Sequence, residues 1–451
     1  MLFAKHCCYQ VLFLEIVVQQ GVWVTVVCRI LFPKHPMARL TIFIGLASLF
    51  ISLVAQATYR VGFAQADVTP APETIRSGET FMGGYGLWKA RGAATGIHDP
   101  LTARVLYLEE QDRKICIVIV DSLGLPGLLI DRIATRAGQA IGADPQRIMI
   151  GATHSHAAPD LIGLWGGSPQ EYTDLLIDKV VMAIAQAYES RTPALLYYAR
   201  SKGKARNRRG WDYTDDDIVV LDAVAEDTGD RIAALINFAA HPVISRQSNL
   251  SISSDFVHYL REHAEVEFGA PVIYANGAIG DASPVGRSDG EGTWAVAKRY
   301  GEGVAGHAVE SLGSKQPIGA GIIFRQQKFT SEIDNTVLSI AHSLGLTNDG
   351  STGPFWNTSV VSSIAYFSLG DQLQGIAVPG EALTRTGLAM KTRLTSPAKL
   401  FLGLNGGCLG YFVLRDEWQT GRNNDYEESV SLGPHIAEQL DKLLAEILGS
   451  I

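Results

Sequence analysis

The strongest constraint on this chain is a unit that recurs along it: a short apolar run that stops at chemically capable side chains. Arg147-Ile-Met-Ile leads into Thr153-His154-Ser155-His156, and Arg231 to Phe238 leads into Ala239-Ala-His241-Pro. Pro271-Val-Ile-Tyr-Ala leads into Asn276-Gly-Ala-Ile-Gly280-Asp281-Ala-Ser283, and Leu373 to Val378 into Pro379-Gly-Glu381. Lys399 to Asn405 leads into Gly406-Gly-Cys-Leu-Gly410-Tyr411. Short apolar runs bounded by turn formers read as buried strands, and strand ends are where α/β proteins assemble sites. In extended backbone alternate side chains share a face, so His154 and His156 project together from one strand end. Such a pair suits a metal, or a metal ligand beside a proton donor; the plainer reading is a turn with two half-exposed histidines.

Further strands are predicted at Tyr59 to Val68, Leu101 to Leu108, Ile115 to Val120, Ile218 to Ala223, Ile318 to Thr330 and Ser362 to Leu369. Apolar residues at every fourth position (Leu129, Ile133, Ala137, Ile141) predict a helix over 127–142, and similar periodicity predicts helices over 172–188, 255–268, 293–312 and 435–448. Alternating strands and helices predict the α/β class, a mixed β-sheet core flanked by helices. With no internal repeat or long linker, residues 58–451 read as one large catalytic domain with its site at strand ends.

Composition narrows the function classes. A 451-residue chain that is 47% hydrophobic builds a sizeable core. A formal net charge of -8, with no Lys/Arg run, argues against a nucleic-acid partner. Cys7, Cys8 and Cys28 lie near the start, and Cys116 and Cys408 lie far apart, which is neither a disulfide framework nor a CxxC metal site. From Met37 the chain reads Met-Ala-Arg, then apolar Leu40 to Val54, then Ala55-Gln-Ala57. Those are the three parts of a signal peptide, so residues 1–57 are expected to be an N-terminal extension plus a signal at 37–57, translation starting at Met37 and cleavage falling near Ala57. The implied location is secreted or periplasmic. A membrane anchor over residues 10–33 is the lesser reading, because Glu15, Gln19, Gln20 and Arg29 interrupt that stretch.

Histidine nitrogens and carboxylate oxygens with one open position make a catalytic zinc site. On the residues alone, a metal hydrolase competes with a serine nucleophile served by His and Asp. His98, in the glycine-rich loop after Gly96, can also reach a cleft or be merely structural. Arg206, Arg208 and Arg209 sit in a charged stretch that reads as a solvated face.

The ordered motifs Met82-Gly-Gly-Tyr, Gly96-Ile-His, Thr153-His-Ser-His, Asn207-Arg208, Asn237-Phe-Ala-Ala-His241-Pro, Ser254-Asp255, Gly280-Asp-Ala-Ser-Pro284, Val378-Pro-Gly-Glu381 and Gly410-Tyr411 resemble those of neutral, non-lysosomal ceramidases. Asp425-Tyr-Glu and Leu432-Gly-Pro-His extend the resemblance, which runs from about residue 60 to 435. It implies an amidase with one zinc per chain, held by His154, His241, Glu381 and Tyr411. It further implies that His156 lies beside the metal, that Ser283 is a nucleophile or substrate-site residue, and that Arg208 belongs to the substrate pocket. Arg206 and Arg209 remain solvated-face candidates. Asp121, Asp255 and Asp281 suit orienting the histidine rings better than ligating.

Three departures bear on the substrate. Ala157-Ala-Pro-Asp160 stands where ceramidases carry Ser-Gly-Pro-Gly-Gly, and Val285 stands where they carry asparagine. The chain also reads as the catalytic domain alone, without the family's C-terminal immunoglobulin-like domain. The resemblance implies cleavage of ceramide to a sphingoid base and a fatty acid. The alternatives are a same-fold zinc hydrolase for another amide or ester, and a catalytically silent binding protein. The implied partner is a lipid or other N-acyl small molecule, with peripheral membrane contact.

Overall fold

The computed structural model describes residues 59–86, 91–286, 292–344, 354 and 358–451. The extension and signal peptide expected over 1–57 lie outside them. Among the described residues the larger sheet has nine strands. Its main path runs Val272–Asn276, Arg231–Phe238, Asp217–Ala225, Thr192–Lys202, Tyr59–Asp67, Thr102–Glu110, Arg113–Val120, Ile148–Ala152. The two outermost pairs are parallel and the inner ones antiparallel, so the sheet is mixed as expected. A second sheet orders Ile322–Glu332, Ser359–Leu369, Leu373–Ala377 and Ala398–Leu402.

Strand periodicity explains how these sheets stack. On Arg113–Val120, Ile115, Ile117 and Ile119 face the second sheet, sharing a core with Phe324, Phe367 and Leu400. The intervening Cys116, Val118 and Val120 face the opposite way, onto helices Gly127–Ile141 and Gln170–Glu189 through Ile133, Leu176 and Val180. The far half of that face is covered by helices Phe256–Phe268 and Thr293–Ser311 through Leu260 and Val304. The second sheet's outer face packs on the C-terminal helix Ile436–Gly449 through Leu440 and Leu444. The result is four layers, helix, sheet, sheet, helix, in which central strands such as Arg113–Val120 and Asp217–Ala225 bury residues on both faces.

The Thr192–Lys202 strand carries no alternating pattern that announces it: Pro193 opens it, and Leu195-Leu-Tyr-Tyr198 runs unbroken through a position near the middle of the sheet. Short helices at Thr336–Ser343 and Thr384–Thr392 are likewise additions to the sequence reading.

The segment after Ala398–Leu402 joins the two edges of the large sheet. Gly403 N donates to Asn276 O at 3.1 Å, Ala152 N to Leu404 O at 3.1 Å, and Gly406 N to Ile150 O at 2.9 Å. Asn276 Nδ2 then donates to Ala152 O at 3.0 Å, closing the ring of contacts. Three strand ends distant in sequence meet there, and their polar clusters meet with them.

Candidate metal centre

His154 leaves its strand end in the left-handed region, with φ of 64°. That conformation is uncommon for a residue with a Cβ and costs on the order of 1–3 kcal/mol, which the surrounding structure must offset. It turns the imidazole so that Nδ1 meets the Leu123 carbonyl at 2.5 Å. A carbonyl only accepts, so Nδ1 carries a proton and Nε2 is the nitrogen turned toward the cluster. His241 repeats the device, its Nδ1 donating to Ile279 O at 3.2 Å. His156 Nε2 lies 3.1 Å from His154 Nε2 and 3.0 Å from His241 Nε2. Glu381 Oε2 stands 3.2 Å from His154 Nε2 and 3.7 Å from His241 Nε2, buried and without a hydrogen-bond partner.

Burial pushes His156 and His241 well below the usual histidine range, and the neighbouring His154 adds to the effect, so both rings are neutral near pH 7. The bare Nε2 of His241, the neutral His156 ring and an unpaired carboxylate oxygen therefore converge with few protons to share. Such a convergence is unfavourable unless a cation sits among the donors. The separations are of the size that donors take around one ion with bonds of about 2 Å. The buried set His154, His156 and His241 thus fits a metal ion, with Glu381 as a further donor. The plainer reading of two half-exposed histidines is corrected: His154 is 5% and His156 6% exposed.

Backbone economy brings Tyr411 to the same place. Glu381 and Tyr411 are partners in a two-residue parallel ladder, with Glu381 N donating to Gly410 O at 2.9 Å. Tyr411 OH accepts from Arg208 Nη2 at 2.9 Å. Burial raises the phenol's pKa well above its ordinary value, and the Arg208 cation opposes that rise. Arg208 also donates to Glu427 Oε1 at 2.8 Å and to Gly280 O at 2.5 Å.

Other sequence-selected residues fall differently. Asp281 bonds Asn207 Nδ2 and both the amide and hydroxyl of Thr384, each at 2.7 Å, so it braces the segments carrying Arg208 and Glu381. Asp121 pairs with Arg261, and Asp255 caps its own helix and holds Ser245 N at 2.7 Å. The histidine-orienting role expected of these aspartates is taken by the carbonyls of Leu123 and Ile279. Ser283 lies half-buried on the short Ala282–Pro284 strand opposite Arg206 and is not among the residues lining the pocket at the histidines. His98 stacks on Trp294 at 3.9 Å and meets Tyr259 OH at 2.9 Å, apart from the cluster. Arg206 is exposed, but Arg209 is corrected from solvated to 3% exposed, with its guanidinium bonded to Glu427 and Glu428 at 2.9 Å.

Several contributors escaped the sequence reading. The Tyr85 ring packs against His156 edge to face, with the ring centroids 4.6 Å apart. A Cβ on Gly84 would fall 2.3 Å from His156 Nδ1, so the Met82-Gly-Gly-Tyr motif is the floor on which that ring lies. Arg91 donates to the carbonyls of Gly83 and His156, tying this loop to the histidine segment. Tyr426 and Glu427 belong to the Asp425-Tyr-Glu motif, which gave their presence but no role.

A pocket opens beside the cluster. His154, His156, Glu381 and Tyr411 share its lining with Leu123, Ile162, Trp165, Leu404, Leu409 and Leu432. A polar reaction centre at the end of an apolar wall suits a substrate with a greasy chain and a reactive polar head.

No family model matches the chain. Among curated proteins, it is 27% identical over 280 residues to neutral ceramidase of Drosophila melanogaster, covering 53% of this chain and 38% of that protein. It is 23% identical over 268 residues to neutral ceramidase of Drosophila pseudoobscura pseudoobscura, covering 51% and 37%. The matched part is therefore well under half of those relatives' length. Among solved structures, neutral ceramidase from Pseudomonas aeruginosa superposes with a TM-score of 0.72 at 20% identity, covering 86% of this chain and 73% of that one. A ceramidase complexed with C2 superposes with a TM-score of 0.70 at 19% identity, covering 86% and 74%. The fold is that of the neutral ceramidases, and the curated relatives support the family resemblance read from the motifs over about half of the chain.

Proposed function

From this kinship, we propose that the chain is a zinc-dependent hydrolase of N-acyl amide bonds, with ceramide as the leading substrate and a sphingoid base and a fatty acid as products. One observation carries the reading: imidazole nitrogens and an unpaired Glu381 oxygen converge at the end of an apolar pocket. His154, His241 and Glu381 would hold the ion, and the resemblance adds Tyr411 as the fourth ligand. When bound, zinc supplies Lewis acidity, polarising the scissile carbonyl and acidifying water at the site.

The protein's own residues supply the rest. His156, neutral because it is buried, accepts a proton near pH 7 and returns it to the leaving amine. Arg208 holds the Tyr411 oxygen and favours its anionic form. The apolar wall takes the acyl chain and keeps bulk water from the carbonyl. Ser283 is assigned to a substrate contact or to covalent attack, and a burst of product with a trapped acyl-serine would select the latter. A signal peptide at 37–57 would deliver the enzyme to a secreted or periplasmic location, where lipid substrates are met at membrane surfaces.

A second reading, hydrolysis of a different amide or an ester in the same pocket, is favoured by the Ala157-Ala-Pro-Asp160 departure beside the histidines. A silent binding protein is disfavoured by the complete set of donors. The test is to load the purified chain with zinc and offer it ceramides, other fatty-acyl amides and small esters. One zinc per chain with ceramide turnover supports the leading reading. Turnover of other amides or esters alone selects the second, and zinc uptake without any turnover would leave the silent one.

A further inference from the structure

Asp160 has no solvent exposure, and its carboxylate is spent entirely on backbone. Oδ1 accepts from the amides of Ile162 and Gly163, both at 2.9 Å, while Oδ2 accepts from Trp165 N at 2.7 Å and Gly167 N at 3.0 Å. Four N–H donors on one buried anion fix the whole 160–167 loop, because each lost bond would strand a buried polar group. The loop is also fastened from outside: Asp160 N donates to Phe81 O at 2.8 Å, and Phe81 N to Gly167 O at 3.0 Å. Gly166, with φ of 123°, lets the turn lie on the Phe81 ring, where a Cβ would approach to 2.5 Å. The side chains this loop presents to the pocket are Ile162, Leu164 and Trp165. Trp165 is pinned at both ends, its amide on Asp160 and its indole Nε1 on Gly86 O at 2.7 Å.

We propose that Asp160 builds a rigid wall for the acyl pocket and that Trp165, set on that wall, limits the length of acyl chain the pocket accepts. The inference rests on the amide-hydrolase reading and names its substrate class. Trp165 shares the pocket lining with Leu123, Leu409 and Leu432, and its two hydrogen bonds hold it there, so a chain that reaches it meets a fixed indole. A longer chain must leave the pocket or displace an indole that would lose its hydrogen bond to Gly86.

The experiment compares the zinc-loaded wild type with W165A and D160N on N-acyl amides of one amine, from acetyl through hexanoyl and dodecanoyl to hexadecanoyl. Trp165→Ala keeps the backbone bonds to Asp160 and removes only the indole. Asp160→Asn offers one oxygen where two served four amides, so it loosens the loop. The wild type is expected to peak within this series and fall off before its longest member. W165A should gain at least about tenfold in kcat/KM on dodecanoyl relative to hexanoyl substrate, and D160N should flatten the profile. Calorimetric binding of the corresponding fatty acids to the same proteins gives the chain-length preference without turnover. A wild type that prefers hexadecanoyl, or variants whose profiles run parallel to it, would overturn the inference. Failure to cleave amides of any length would instead strike the amide-hydrolase reading, and the fatty-acid binding series would then decide the wall alone.

Discussion

At the scale of single residues, the cluster separates groups that could hold a metal from the groups that aim them. His241 has no solvent exposure, and its protonated Nδ1 is fixed on Ile279 O, so its Nε2 is left facing His156 and the candidate metal position. His241→Ala should lower metal content from about one ion per chain to a small fraction of that, read by elemental analysis of dialysed protein. Full retention would remove His241 from the ligand set. Arg208 acts through Tyr411 and Glu427, and lysine cannot reproduce its fork of donors. Arg208→Lys should therefore cut kcat about ten- to a hundredfold with little change in KM, whereas a pure substrate contact would raise KM first. The histidines, Glu381 and Tyr411 were legible because each is a polar side chain closing an apolar run. The carbonyls of Leu123 and Ile279 were not, since a backbone acceptor leaves no mark in sequence. Arg209 misled for a related reason: its carboxylate partners lie more than two hundred residues away.

At the scale of elements, the site depends on short segments approaching closer than side chains allow. The Glu381–Ala382 ladder reaches Gly280 through the bond from Gly280 N to Ala382 O at 2.9 Å. A Cβ on Gly280 would lie 2.7 Å from Glu381 O and 2.8 Å from Ala382 O, both backbone atoms that cannot swing aside. Gly280→Ala should therefore cost about 1–3 kcal/mol of stability, measured by urea unfolding, and should weaken metal retention because Glu381 is displaced. Loss of stability with unchanged metal affinity would mean that the strain relaxes away from Glu381. Helices with a clean four-residue period, such as Gly127–Ile141 ending at left-handed Gly142, were legible almost to their boundaries. The Thr192–Lys202 strand was not, because its run Leu195-Leu-Tyr-Tyr198 puts large apolar side chains on the half-buried face as well as the buried one, which blurs the alternation.

At the scale of the whole molecule, one buried ion pair joins the two helix-covered halves of the large sheet. Asp121 follows the Arg113–Val120 strand, and Arg261 lies on the Phe256–Phe268 helix; their atoms meet at 3.0 and 2.8 Å, with Thr102 N also donating to Asp121 at 2.8 Å. Burial by itself would raise the Asp121 carboxyl, but Arg261, the hydrogen bonds and Arg104 outweigh it and hold the group below its ordinary value. A carboxyl depressed in the folded state contributes stability that is fully present above the unfolded value of about 3.9. That contribution fades as pH falls through the lower folded value. Asp121→Asn leaves Arg261 buried without its counter-charge and should cost about 3–5 kcal/mol near neutral pH. In metal-free protein, where metal release does not intrude and the histidines titrate alike in both proteins, the gap between wild-type and D121N urea midpoints should be constant from neutral pH down to about 4 and narrow below it. A gap that stays constant down to about pH 2 would show that shape and hydrogen bonding at Asp121, not its charge, hold the halves together.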